Sequence, residues 1–322
     1  MSGTLKPYKN KPKGDSQMFV TAEKTHCINY CDQSGLNCFQ RCPAKYFFER
    51  VIGLRDPSRR KITLDYGTIM HNCFPLAYKD IDGAIELFKQ QWEKYGYGED
   101  DKARNTDRAE LALRDFHRVN NSQFGPYEPL DPPTTNLEVS DAYSDKEVPF
   151  LLDIGAEFPL AGRIDRIVRW KPTNEIYPLD YKTSSEISAR LFSNFENCLQ
   201  VVLYTLACSQ ILDYRAAGII LEFSRVSPKN TETVAHPNLV SDRWMEVTVE
   251  WVRHKTTAIK EMNESKKWVM NPCACAPYSM FGSPGFSCDY KMLCGMPDWR
   301  HGAKFYNIDL WHPINLKGES DA

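Results

Sequence analysis

Gly162-Arg163-Ile164-Asp165-Arg166, followed fifteen residues after its aspartate by Asp180-Tyr181-Lys182, is the stretch on which the reading of this chain turns. Pro178-Leu179 leads an apolar run into Asp180, and Asn174 supplies a turn upstream of it. The pattern predicts strands over 163–170 and 175–181. Side chains alternate along a strand, so Lys182 projects to the same face as Asp180. Two carboxylates on neighbouring strands can share a hard divalent cation through their oxygens. Hydrolysis of a phosphodiester requires a nucleophilic water, an offset phosphate charge and a stabilised leaving oxygen, and Mg2+ or Mn2+ can meet all three needs. Asp165 and Asp180 are therefore the candidate metal carboxylates, with the Tyr181 carbonyl as a further oxygen ligand. Lys182 serves either as base or as electrostatic stabiliser, and the pattern leaves both roles open. An Asp paired with an Asp-x-Lys is also common at solvated strand ends, so its setting has to decide.

Outward from these strands, Thr183-Ser184-Ser185 forms a polar turn able to bind phosphate or cap a helix. A helix over 188–212 follows, on which Gln200 and Tyr204 are four apart and share a face. Residues 150–160 read as an earlier strand, 216–223 as a buried later one, 244–249 as a further strand and 250–268 as a late helix. Upstream, residues 38–53 place Phe39, Tyr46, Phe47 and Val51 at partly helical spacing, with Pro43 near the helix start and Gly53 at its end, and read as an amphipathic helix. Helices are also expected over 65–78, 84–95 and 106–119, with a connection over 120–133. Residues 1–20, rich in Lys, Pro and Gly, read as flexible. The expected architecture is α/β, with a central mixed sheet flanked by helices, an N-terminal helical layer and a C-terminal Cys-rich segment. It is expected as a single domain over 21–322: a helical part at 38–133, a core at 137–250, and a late helix with the Cys segment at 251–322.

At 322 residues, 42% hydrophobic and 25% charged, the chain can bury a large core. It contains no run of eighteen apolar residues and its first residues do not read as an export signal, so a cytoplasmic protein away from membranes is expected. A formal net charge of -2 offers no global basic field, so nucleic-acid binding has to come from a local patch. Arg163, Arg166, Arg190 and Lys266-Lys267-Trp268 are candidate backbone or stacking contacts. The 11 cysteines are an odd number with no oxidising compartment indicated, which favours metal ligation over a disulfide framework.

The segments GRIDRI (162–167), LDYKTSS (179–185) and QVVLY (200–204) resemble the PD-(D/E)XK nuclease superfamily, specifically its RecB-like branch. Gly67-Thr68-Ile69-Met70-His71 is similar to that branch's helical G-x-x-x-H. The resemblance implies a restriction-endonuclease-like core with His71 as a metal ligand, and Gln200 and Tyr204 holding the active-site lysine or the DNA backbone. The early Cys-Pro-x-x-Tyr-Phe-Phe segment and the late cysteines look similar to AddB-type and CRISPR-associated exonucleases, which implies a 4Fe-4S cluster on Cys42, Cys275, Cys288 and Cys294. The chain departs from that pattern in the long separation of Cys275 from Cys288, so Cys273 competes for the place of Cys275. Zinc is the alternative on four thiolates.

The activity implied is a Mg2+- or Mn2+-dependent deoxyribonuclease, exonuclease more than endonuclease, working on DNA ends or single strands. DNA repair or recombination is the implied setting, with a helicase or a recombination or adaptation protein as partner. The competing expectations are an inactive nucleic-acid-binding scaffold of the same fold and a zinc-stapled interaction module.

Overall fold

A computed structural model describes residues 19–21, 28–57, 62–99, 101–121, 125–131, 133, 137–139, 147–275, 288–309 and 314–316. Most of the expected flexible segment 1–20, Cys27 and the Gly/Pro-rich loop at 276–287 lie outside the described residues. The first elements are β1 (Phe19–Thr21), α1 (Gln33–Arg41), α2 (Pro43–Tyr46) with a π-helical turn over Phe47–Val51, β2 (Leu54–Arg55), α3 (Ile62–Ala77), α4 (Ile81–Tyr95) and α5 (Thr106–Asn120). Then come β3 (Tyr127–Pro129), β4 (Leu137–Val139), β5 (Val148–Leu152), β6 (Leu160–Ile164), β7 (Arg166–Trp170), β8 (Glu175–Ser184), α6 (Ala189–Ser193), α7 (Leu199–Leu212), β9 (Gly218–Val226) and β10 (Thr231–Leu239). The chain continues through α8 (Asp242–Ser265), β11 (Lys267–Val269), α9 (Lys291–Gly295), α10 (Arg300–Ala303), β12 (Asn307–Ile308) and β13 (Ile314–Leu316). These elements pack as two compact units, one of residues 1–28, 34–57 and 255–311, the other of 29–33, 58–254 and 312–322.

The larger unit is built on a five-stranded mixed sheet ordered β10-β9-β8-β7-β3. Its central pair, β8 and β9, is parallel, with Asp180 beside Leu221 and Tyr181 beside Glu222. The crossover between these two strands runs through α6 and α7, as parallel pairing requires. Alternation along β8 sends Tyr177, Leu179 and Tyr181 to one face, where they meet Tyr66, Phe74, Phe88, Trp92 and Phe116 of α3, α4 and α5. The opposite face packs Val201 and Val202 of α7 against Ile219, Leu221 and Phe223 of β9. Burying each large apolar side chain of these layers is worth about 1.5–3 kcal/mol relative to exposure. Local signals set the helix ends: the Asp80 carboxylate accepts from the Gly83 amide at 2.8 Å at the start of α4, and Asn105 accepts from the Arg108 amide at 2.9 Å before α5.

The smaller unit joins an early and a late part of the chain. Phe47 stacks on Trp268 with centroids 5.5 Å apart, Phe48 packs on Tyr290 at 5.5 Å, and the Tyr290 hydroxyl donates to the Leu54 carbonyl at 2.7 Å. Strand β2 pairs with β12, and β1 with β11. Among the described residues, no helix is long and apolar enough to cross a membrane.

Several elements differ from the sequence expectation. Residues 244–249 belong to α8 rather than to a strand: Met245, Thr248, Val252, Thr256 and Ile259 form a buried stripe at helical spacing, and Ser241 Oγ accepts from the Trp244 amide at 3.3 Å. The β-branched composition of the segment points to a strand, but burial at every third or fourth residue selects the helix. The expected strand over 150–160 is a hairpin of β5 and β6, turned at Gly155 (φ +66°) with Asp153 accepting from the Gly155 amide at 2.8 Å. The helix over 188–212 breaks at Asn197, whose φ is +53°. The helix over 38–53 breaks at Cys42, which is extended ahead of Pro43. Strand β10 carries His236 and Pro237 in a weakly apolar run, which hides it from pattern reading.

Candidate active site

Asp165 is the single residue between β6 and β7, at the point where the chain leaves the β5–β6 hairpin and enters the central sheet. Its Oδ2 accepts from the Tyr181 amide at 2.8 Å and lies 3.2 Å from His71 Nδ1. His71 projects from the middle of α3, one turn after Gly67. Asp180 is 2% exposed on β8, forms an ion pair with Lys182 through Oδ2, and accepts from Gln200 Nε2 of α7 at 3.1 Å through Oδ1. Tyr204, one turn along α7, engages the Gln200 side chain and packs edge-on against Phe150 at 5.7 Å. Gly162 of β6 lies directly across from Phe150, and a Cβ there would sit 2.4 Å from the ring. The glycine thus leaves room for the Phe150 ring.

His71, Asp165, Asp180, Lys182, Gln200 and Tyr204 are therefore brought into one connected group. Lys182 shares the face of Asp180 as strand alternation demands, and Tyr181 enters the site through its backbone while its side chain is buried against Phe74 at 5.0 Å.

Electrostatics separates the two acids. Burial pushes the Asp165 carboxyl up, but His71, Lys182 and the Tyr181 amide outweigh it and hold it below the ordinary aspartate value. Burial also dominates at Asp180, and with the Asp165 charge nearby it raises that carboxyl despite Lys182. Burial alone would depress His71; the Asp165 carboxylate reverses this and raises it. The two carboxyls are thus driven in opposite directions, Asp165 below and Asp180 above the ordinary aspartate value.

Two buried oxygen donors and an imidazole suit a hard or borderline divalent ion, and Asp180 Oδ2 is buried without a hydrogen bond of normal geometry. Among the described residues, no three His, Cys, Asp or Glu side chains are drawn in to metal-ligating distance. His71 and Lys182 lie on the two carboxylates instead.

Glu147 is a site residue that pattern reading misses. It precedes β5, and the register Val148–Ile164 sets it across from Asp165. Its Oε2 stands 3.3 Å from Arg163 Nη1, and burial raises its carboxyl to about 7, with Asp165 pushing the same way and Arg163 and His71 opposing. Glu147 belongs to no motif in the sequence; only strand pairing brings it here. The candidate DNA contacts fare unevenly. Arg190 is exposed, Arg163 is paired with Glu147, Arg166 is only 6% exposed and Trp268 is fully buried. The last two cannot meet a nucleic acid, because alternation turns both side chains inward.

In the smaller unit, Cys42, Cys275, Cys288 and Cys294 come together: Cys275 is hydrogen-bonded to Cys288, and the Cys294 thiol is pushed up to about 12 by burial and by the other three. Cys42 Sγ accepts from the Asn271 amide at 3.5 Å. Cys273 is exposed and stands outside this group. All four thiols are free, and among the described residues no three of them stand close enough together to hold a metal ion.

A family model described as the PD-(D/E)XK nuclease superfamily matches residues 33–295, and the chain belongs to that superfamily. Among solved structures, it is similar to an exonuclease candidate from Eubacterium rectale at 12% identity and a TM-score of 0.45, over 77% of this chain and 86% of that one. It is also similar to SSO0001 at 12% identity and a TM-score of 0.26, over 63% of this chain and 78% of the other. No curated protein sequence matches the chain.

Proposed function

We propose that this member of the PD-(D/E)XK nuclease superfamily is a Mg2+- or Mn2+-dependent deoxyribonuclease of the RecB-like branch, acting as an exonuclease on DNA ends or single strands. The observation that carries the reading is the convergence of Asp165, Asp180 and His71 with Lys182 beside Asp180. Asp165, Asp180, His71 and the Tyr181 carbonyl would hold the ion. When bound, the ion supplies Lewis-acid polarisation of the phosphate and a nucleophilic water at neutral pH. Lys182 moves off Asp180 to the scissile phosphate and offsets the charge that develops there. Gln200 keeps Asp180 oriented through its Oδ1, and Tyr204 holds Gln200. The intact acids and lysine argue against an inactive scaffold.

Cys42, Cys275, Cys288 and Cys294 are proposed to carry a structural 4Fe-4S cluster, with zinc as the alternative. Such a centre ties residues near 42 to residues near 290, and its binding energy becomes folding energy of the smaller unit. DNA is the proposed substrate, and a helicase or a recombination or adaptation protein the proposed partner.

The test is a cleavage assay on end-labelled DNA with Mn2+, alongside Asp180→Ala. Loss of cleavage in the variant is expected, and equal degradation by both proteins would overturn the assignment. An absorbance spectrum after anaerobic purification checks the cluster: a brown protein is expected, and a colourless zinc protein would remove the iron-sulfur assignment while leaving the nuclease standing.

A further inference from the structure

Behind the two candidate acids lies a buried polar group that the proposed chemistry does not use. Arg166 and Tyr181 each follow a candidate metal carboxylate by one residue, so alternation turns them away from the acids. Arg166 is 6% exposed and holds its guanidinium 4.8 Å over the ring of Tyr78, the residue just after α3. The Tyr78 hydroxyl donates to the Tyr127 hydroxyl of β3, which donates in turn to Glu222 Oε2 of β9. Asn120 Nδ2, at the end of α5, donates to Glu222 Oε1 at 2.6 Å. Glu222 is 1% exposed and sits beside Tyr181 in the β8–β9 register, while Arg166 sits beside Leu179 in the β7–β8 register. Residues of α5, β3, β7, β8 and β9, with Tyr78 just after α3, thus meet in one buried layer.

Such a layer is costly. Taking a guanidinium and a carboxyl out of water costs several kcal/mol per ion before compensation, and apolar side chains of equal volume would often hold the sheet as well or better. Apolar packing, however, tolerates small sliding, whereas the directional hydrogen bonds linking Tyr78, Tyr127, Glu222 and Asn120 hold only near one register. Fractions of an ångström matter at a metal site, because its ligands are held by the groups behind them.

We propose that Glu222, Tyr127, Tyr78, Asn120 and Arg166 form a positioning device that fixes β7, β8 and β9 relative to α3 and α5, and so sets the separation of Asp165 from Asp180. The inference rests on the reading of those two aspartates as metal ligands. Glu222 is the anchor, accepting from both Asn120 and Tyr127. Tyr78 passes that constraint to Arg166, whose main chain is continuous with Asp165. Tyr181 is held between this layer and its own amide's bond to Asp165. None of these five side chains touches the reacting atoms.

The test uses the full chain and Tyr127→Phe and Glu222→Gln, each of which keeps volume while removing one polar group. Mn2+ binding is measured by titration calorimetry, and DNA cleavage is followed for kcat and KM separately. Each variant is expected to weaken Mn2+ binding about 10-fold and to lower kcat, as loss of groups supporting a metal ligand does, with DNA KM within about twofold of wild type. The double variant is expected to lose little more than either single one, since the groups act as a unit. Variants that melt earlier yet bind Mn2+ and turn over like wild type would overturn the positioning role and leave the nuclease reading intact. A wild-type chain that neither binds Mn2+ nor cleaves DNA would overturn both.

Discussion

Gly162→Ala tests the architecture of the site without presupposing its chemistry. The added Cβ would stand 2.4 Å from Phe150 Cζ and 2.7 Å from Cε1, so the ring must withdraw by roughly 1 Å to reach ordinary contact. Phe150 is 4% exposed and its ring abuts Tyr204, so it has no free direction. Overpacking of this kind costs about 1–3 kcal/mol. For a unit of this size, that corresponds to a fall in Tm of roughly 2–12 °C. Movement of Phe150 also displaces Tyr204 and, through Gln200, the support of Asp180, so cleavage of end-labelled DNA should fall along with stability. The measurement is scanning calorimetry of wild type, Gly162→Ala, Phe150→Leu and the double variant. Phe150→Leu removes the colliding ring atoms, so the double variant should be more stable than the sum of the single effects by about 1 kcal/mol or more. A wild-type Tm for Gly162→Ala, or strict additivity in the cycle, would refute the argument that this glycine exists to admit the ring.

Asp180→Asn is expected to abolish cleavage, by at least roughly 100-fold, while raising the Tm at neutral pH. Burial raises the folded-state carboxyl, so the native protein loses stability as pH climbs above the ordinary aspartate value and the amide avoids that loss; a lowered Tm would contradict it. The His71–Asp165 pair should contribute most between the two ordinary values, about pH 4 to 6.5. Below that window the depressed Asp165 carboxyl protonates, and above it the raised His71 imidazolium is lost. In thermal melts without added metal, His71→Ala should therefore lose most stability in mildly acidic buffer, and an equal loss at pH 9 would exclude the pair. Glu222, raised by burial to about 7 from 4.5, makes stability fall as pH rises between those values, by about 3 kcal/mol in all. Chemical denaturation at pH 5 and pH 8 should show that fall reduced in Glu222→Gln, and an unchanged slope would mean that Glu222 does not titrate there.

Much of the candidate site is legible in the primary structure because its chemistry is local. Asp180 and Lys182 share a face by strand parity alone, and Gln200 and Tyr204 share one by helical spacing. The elements around them are less legible. Residues 244–249 carry strand-like side chains but form part of α8, since the choice depends on which neighbours bury Met245 and Thr248. The break of the 188–212 helix at Asn197 hangs on one left-handed residue that no apolar pattern marks.

The sequence by itself determined the superfamily and marked out the candidate acids and lysine, because these rest on residue type at a fixed short spacing. Only the tertiary structure decided that Glu147 stands across from Asp165, that Arg166 and Trp268 face inward, that Cys275 rather than Cys273 joins the other thiols, and that Glu222 anchors a buried layer behind the site. Those outcomes depend on strand register and on the packing of segments as far apart as Asn120 and Glu222. Burial and long-range pairing belong to the folded chain as a whole, so no local window of residues contains them.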